Sequence, residues 1–498
     1  MTNIHPLFET PLPYGWQLLK VDDIKSPEKS ACVAGPFGSS ISSKFFVESG
    51  VPIIRGGNLR NDLTRFVPEG FAFVSEEQAA KYKAQHVRPG DLVFTCWGTI
   101  GQVGLIPKTG PYPEYIISNK QLKLRPNIEI ADPEYLFFYF AGPKMVQHVQ
   151  GKAIGAAVPG INLGILKELP VVLPPFPVQQ RIAGILSAYD ELIENCQRRI
   201  KILETMARAL YREWFVHFRF PGHDNSAGQP NWEAEGHPEG VSTTDGANQH
   251  VPRIAYPLGE IPQGWEVKTL REIISSHIGG GWGKEQSDEE HTEPAWVIRG
   301  TDIPDARYSQ IAGVPYRVHT VSNLRSRRLG AGDIVFEVSG GSKGQPVGRT
   351  LLITPELLAS LGDDVICASF CKRIQPDIDG YGSELLYLSF LEGYESGEIE
   401  QYQVQSTGIS NFKWTEYLAN TNRVIPPQSI REEFRGHVAP LFTLVATLGR
   451  KIENLRRTRD LLLPRLLSGQ INVEALEATP EGYEDASHTT TSVSSLPP

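Results

Sequence analysis

Several stretches place reactive residue types close together, and each lacks a member that its chemistry requires. Leu173-Pro174-Pro175-Phe176 has the outline of an amino-methyltransferase loop, whose first residue must hydrogen-bond the target amino group. Leu173 has no polar atom, and the matching place later in the chain is Ile425. The two Pro-Pro pairs therefore read as helix punctuation. Gly279–Glu285 (GGGWGKE) hints at a phosphate loop. That spacing needs Gly at 278 and Ser or Thr at 285, where the chain has Ile278 and Glu285. The glycine-rich run 338–344 also lacks the spacing and reads as a turn, or as a loop that approaches a ligand with its backbone. Asp333 and Glu337 could begin a nuclease carboxylate set, but Val338 and Ser339 follow. Cys367 and Cys371 lack two further ligands nearby and read as buried cysteines rather than a zinc site. No His-Glu-x-x-His or paired Cys-x-x-Cys occurs, and the 12 histidines are scattered. The chain is expected to carry no catalysis of its own.

The elements that would position binding residues follow from size and pattern. The 498 residues are 40% hydrophobic and 21% charged, enough for two or more cores. No run of about 20 apolar residues exists, and the start lacks a basic region followed by an apolar one, so neither a membrane span nor a secretory signal is expected. Five cysteines fit a reducing compartment. The net charge of −9 is concentrated: residues 221–260 and 474–498 each carry a net −5, leaving the remainder at +1. Both segments are polar and poor in aliphatics, and read as a linker and a disordered tail.

The chain is written twice. YGWQLLKVDDI (14–24) is answered by QGWEVKTLREI (263–273), and PIIRGGNLR (52–60) by AWVIRGTDI (295–303). VRPGDLVFTCWGTIGQVGLI (87–106) is answered by LGAGDIVFEVSGGSKGQPVGRTLLI (329–353). ISNKQLKLRP (117–126) matches CASFCKRIQP (367–376), and LPPFPVQQRIAGIL (173–186) matches IPPQSIREEFRGHV (425–438). The order is the same in both halves, which predicts a tandem duplication. Each half opens with short β-type runs such as DLVFTC and DIVFE and short helices near 132–142 and 382–393, an α+β pattern. Each closes on a long helix. Ile182, Ile185, Tyr189, Leu192, Cys196, Leu203, Met206 and Leu210, with Arg199 in one slot, alternate by 3 and 4. Val438, Leu441, Val445, Leu448, Ile452, Leu455 and Leu462, with Arg459 in one slot, do the same. Such seams predict a coiled coil about 60 Å long. Pro464 is expected to kink or end the second helix.

This constellation resembles the specificity (S) subunits of type I restriction–modification systems, over nearly the whole chain. The residues that carry the resemblance are Pro174, Pro175, Gln179, Ile182, Ala183, Ile185 and Leu186 at the first long helix's start. Leu210 to Phe215 at its end and Leu461 to Gly469 closing the second add to it. The second helix departs from the pattern at Arg431, where the first has Gln179. The resemblance implies target-recognition domains at 1–177 and 261–427, long helices at 178–218 and 428–473 pairing as an antiparallel coiled-coil spacer, a linker at 219–260 and an acidic tail at 474–498. It implies a non-catalytic, cytoplasmic subunit that binds an asymmetric bipartite target in double-stranded DNA. Its partners would be two methyltransferase (modification) subunits using S-adenosylmethionine, and restriction subunits using ATP and Mg. The chain itself would hold no cofactor and no metal. The alternatives are a specificity protein of another restriction–methylation system and a non-DNA two-domain scaffold.

Base readout needs Arg or Lys for guanine, Asn or Gln for adenine, and Ser or Thr for either. Loops carrying such groups supply the candidates. In the first half these are Ser39, Ser40, Ser43, Lys44, Arg55, Asn58, Arg60, Lys120 and Gln121. In the second they are Trp282, Lys284, Arg299, Arg307, Ser342, Lys343, Gln345, Gln405, Ser410 and Lys413. Tyr211, Trp214 and Phe215 are candidates for holding a partner subunit, since large aromatics are favoured in interface cores.

Overall fold

A computed structural model describes residues 4–38, 40–155, 159–222, 261–340, 346–377, 380–406 and 409–475. The chain divides into two compact units, Met1–Glu191 with Arg457–Pro498, and Leu192–Arg456. Both are α+β. None of the described helices is long and apolar enough to cross a membrane.

In the first unit, the antiparallel pair Gln17–Lys20 and Pro170–Leu173 ties the ends of the globular part together. A four-stranded sheet runs Cys32–Ala34, Gln121–Leu124, Leu92–Thr95, Val103–Leu105. A five-stranded sheet holds Val51–Ile54 parallel to Tyr115–Ile117. The helix Pro133–Ala141 packs on the first sheet. Asp132 caps it by accepting from the Tyr135 N–H at 2.8 Å, and Pro133 occupies its first turn. Its run Tyr135–Phe140 is wholly buried, which makes it the centre of this unit's main core.

The second unit repeats the main pairings, although its sheet around the parallel pair has three strands where the first has five. Glu266–Thr269 pairs with Asn422–Ile425. The sheet Ile274–Gly279, Cys371–Pro376, Ile334–Glu337, Thr350–Leu352 has the order of its counterpart. Thr95 faces Gln121 in the first sheet, and Glu337 faces Cys371 in the second. Glu293–Ile298 runs parallel to Val365–Cys367, as Val51–Ile54 does to Tyr115–Ile117. The duplication read from five sequence matches is thus a duplication of topology in the terminal strand pair, the four-stranded sheet and the parallel pair. The buried helix Ser383–Glu395 takes the place of Pro133–Ala141. All five cysteines are buried and unpaired, and burial pushes the Cys367 thiol up to about 12.

Two long helices, Phe176–Tyr211 and Gln428–Leu467, complete the fold. Their contacts are antiparallel. In the second unit Ile193, Cys196 and Ile200 cluster with Val445, Leu448 and Ile452, while Trp214 lies against Phe434. The seam of the first helix differs from the expected one. Leu192 and Met206 are exposed, and Arg199 is outside the seam. Ile193, Ile200, Ala207 and Tyr211 are buried instead. Adjacent apolar pairs (Leu192-Ile193, Met206-Ala207) let a pattern of 3 and 4 be drawn on either of two neighbouring rows. The polar slot belongs to Asp190, whose carboxylate accepts from Arg459 at 2.6 Å and meets Arg65 at 3.0 Å. Pro464 neither stops nor displaces the second helix, which runs to Leu467. The proline forfeits one hydrogen bond, to the Asp460 carbonyl, and the turn is held by Leu463, Leu466 and Leu467, which are buried in the first unit's core.

Gln179 explains the pattern at the first helix's start. It is fully buried, accepts from the Asp132 N–H at 2.8 Å, and donates to the carbonyls of Ile130 and Pro174 at 2.9 and 2.8 Å. The expected linker 219–260 and tail 474–498 fall largely outside the described residues.

Candidate nucleic-acid interface

At the end of each four-stranded sheet, four chain segments meet and fix one another through their backbones. In the first unit the turn Ser118–Lys120 is the hub. Ser118 N–H donates to Ile54 at 3.1 Å, and Cys96 N–H donates to Lys120 at 2.8 Å. Gly35 N–H donates to Gln121 at 2.9 Å, and Asn119 Nδ2 donates to Gly38 at 3.0 Å. Gly35 passes so close that a Cβ there would collide with the Ser118 carbonyl. The second unit builds the same hub at Ala368–Phe370. Ala368 N–H donates to Ile298 at 2.8 Å, Val338 N–H to Phe370 at 2.9 Å, and Gly280 N–H to Cys371 at 2.9 Å. A Cβ on Gly280 would strike the Cys367 and Ala368 carbonyls. These glycines are required by close approach of backbone to backbone.

The first rim gathers Ser40, Arg55, Asn58, Lys120 and Gln121 from the expected set. Arg55 and Lys120 are exposed, and Arg55 lies 5.9 Å over the Phe46 ring. Asn58 and Gln121 are buried, so they hold the rim instead of facing solvent. Asn58 accepts from the Arg55 N–H at 2.9 Å and donates to Val67 and Glu69 at 3.1 and 2.8 Å. The Gln121 amide, oriented to satisfy both ends, donates to Ile54 at 3.0 Å and accepts from Gly56 at 3.2 Å. Ser40 spends its hydroxyl on the Phe37 carbonyl. Ser43 and Lys44 lie exposed in the short turn Ser43–Phe45, and Arg60 is exposed beside Val103. Ser39 lies outside the described residues.

The second rim differs more from expectation. Arg299 is forked onto Asp302 at 2.8 and 2.6 Å and also reaches Gly313, so it locks a turn. Arg307 does not reach the rim. It donates to Thr350 and faces Glu204 of the first long helix at 4.0 Å. Lys284 is paired with Asp288 at 2.6 Å. Trp282 is part-exposed under the Arg317 guanidinium, 4.8 Å from the ring centre. Gln405 and Ser410 face each other in the hairpin Gln403–Ser406/Ile409–Phe412, which pairs with Ser339–Gly340 beside the hub. Lys413 is exposed and paired with Glu416. Ser342, Lys343 and Gln345 lie outside the described residues.

Tyr211, Trp214 and Phe215 are corrected. They do not form a partner surface. All three are buried in the second unit's core, with Phe215 4.6 Å from Phe434 and 5.8 Å from Trp265. An aromatic cluster at a helix end satisfies burial equally well against its own domain.

Sequence reasoning missed Trp97, 41% exposed on the first rim, and Phe370, 58% exposed on the second. Both sit at repeat-equivalent hubs, so laying the two halves side by side could have found them. Beneath each rim is also an unexpected rung. Thr95 donates to Gln102 at 3.0 Å, and in the same place Arg349 is forked onto Glu337 at 2.8 and 2.5 Å.

The profile of the type I restriction modification DNA specificity domain matches residues 38–205. The type I restriction enzyme MjaIX specificity subunit of Methanocaldococcus jannaschii is 25% identical over 474 residues, 93% of this chain and 95% of that protein. The HindI specificity subunit of Haemophilus influenzae is 25% identical over 391 residues, 72% and 81% of the two chains. In fold, the chain is similar to the S subunit of a type I restriction–modification system from M. genitalium. The TM-score is 0.50 at 14% identity, covering 91% of this chain and 96% of that one.

Proposed function

We propose that the chain is a specificity subunit of a type I restriction–modification system and that it reads an asymmetric bipartite DNA target. Each repeat would read one half. The observation that carries this is the hub found twice, with three equivalent backbone hydrogen bonds and different side chains. Two equal frames with unequal contents suit two unrelated half-sites. Of the candidate contacts, Ser43, Lys44, Arg55, Arg60, Lys120, Trp282 and Gln405 are exposed, which is what contact with DNA would require.

The paired long helices would dock two methyltransferase subunits, with restriction subunits joining the assembly. S-adenosylmethionine, ATP and Mg would act in those partners. The chain contributes address, not chemistry, so the purified chain alone should neither methylate nor cleave DNA. Methylome sequencing of a host carrying the chain and its methyltransferase tests the reading. Replacing residues 1–177 with a relative's equivalent should rewrite one half of the methylated motif and keep the other. A swap that rewrites both halves, or neither, would defeat it.

A further inference from the structure

The hub turns hold one side chain outward under strict backbone control. Lys120 follows Ser118 and Asn119 at the tip of the first turn. Its carbonyl accepts from Cys96, and Ser118 and Asn119 beside it are tied to Ile54 and Gly38. Its ammonium is exposed and makes no ion pair among the described residues. Phe370 holds the equivalent place, its carbonyl accepting from both Val338 and Ser339 at 2.9 and 3.2 Å. This phenylalanine, 58% exposed, is held outside the core by a turn whose backbone is fixed on both sides.

We propose that Lys120 and Phe370 are specificity-determining residues of their respective halves, Lys120 donating to the O6 and N7 edge of a guanine and Phe370 lying against the methyl group of a thymine. This rests on the DNA-reading function above. The equivalence of the two slots decides between base and backbone. A lysine alone could serve a phosphate, but a phenylalanine cannot, so the slot common to both repeats faces a base edge. Lysine and phenylalanine are the residue types that guanine acceptors and the thymine methyl select in the major groove. The flanking exposed rings, Phe37 and Trp97 in the first rim, also suit base edges better than phosphates.

The test uses the chain co-expressed with its methyltransferase subunits, with methylated motifs read by sequencing and rates measured on single-base variants of the motif. Lys120→Ala should relax one guanine position in one half-site, cutting discrimination there by roughly 5- to 150-fold. Phe370→Ala should relax one thymine position in the other half-site. Lys120→Arg should keep guanine, which shows that the variant loop is intact. An unchanged motif in both alanine variants would overturn the proposal, as would both changes falling in one half-site. Uniform weakening of every sequence by Lys120→Ala, with the log–log salt slope of binding reduced by about 1, would assign Lys120 to a phosphate and also overturn it. If the unaltered complex methylates no fixed sequence, the DNA-reading function itself fails, before any variant is compared.

Discussion

The rung Thr95–Gln102 and the rung Glu337–Arg349 occupy one place in two repeats and do one job by different means. In the first unit a hydroxyl and an amide close the sheet end, and Gln102 passes its second contact to the Leu59 carbonyl at 3.0 Å. In the second a carboxylate 2% exposed carries a guanidinium 13% exposed. The backbone register is the same, with Phe94 facing Val103 and Phe336 facing Thr350. The fold therefore constrains geometry at this place but not polarity. Removing one partner should then reveal unequal stakes, because an uncompensated buried charge costs far more than a lost neutral hydrogen bond.

The sharpest contrast lies where each unit ties itself to the first long helix. Asp190, 6% exposed, is shared by Arg459 and Arg65, whereas Glu204, 17% exposed, accepts from Tyr308 at 2.9 Å and only approaches Arg307. Asp190→Ala should cost about 3–5 kcal/mol in chemical denaturation, and Glu204→Ala about 1–2 kcal/mol. Equal costs would show that the two ties are equivalent after all. Next in size is the rung itself. Glu337→Ala should destabilise by about 3 kcal/mol, while Thr95→Val should cost about 1 kcal/mol. A Thr95→Val loss as large as that of Glu337→Ala would break the comparison.

Acid should weaken the first unit through one buried histidine. Burial pushes His5 in the first unit down to about 4. Between that pH and about 6.5 the unfolded chain binds a proton that the folded chain refuses. Stability from this group is complete above pH 6.5 and is lost as pH falls toward 4, by about 2–3 kcal/mol. Thermal melts across that window should show the loss, and His5→Gln should flatten it. A profile unchanged by His5→Gln would remove the assignment. The smallest effects belong to the exposed lysines. Lys120→Ala and Lys284→Ala should each shift stability by no more than about 0.5 kcal/mol, since surface pairs such as Lys284–Asp288 contribute little. A larger loss at Lys120 would mean that it supports the turn and does not merely project from it.

The duplication, the strands, the short helices and the two long helices were legible because each leaves a periodic or repeated trace over many residues. The site was legible only as a set of loops. Arg299 and Arg307 look as available as Arg55 in sequence, but Asp302 three residues on and Glu204 a hundred residues back decide their fates. Asn58 and Gln121 have the side chains of adenine readers and spend them on neighbouring backbone. Arg299 and Asn58 are claimed by partners three residues away, whereas the partner of Arg307 is a tertiary fact that no local pattern announces. The seam went one row astray for a related reason. Leu192-Ile193 offers two apolar neighbours, and the choice is made by Asp190, which must face Arg459.

The two rungs also bear on how such a chain can change its heredity. Turning Thr95–Gln102 into Glu337–Arg349 takes two substitutions. Either one made first leaves a carboxylate or a guanidinium enclosed without its counterion, a loss comparable with much of a domain's roughly 5–15 kcal/mol of stability. Point mutation must cross that valley. Exchange of a whole repeat does not, because both halves of the rung travel together on one piece of DNA. The charged form of the rung is thus more readily acquired by exchange of a whole repeat than by stepwise substitution within one.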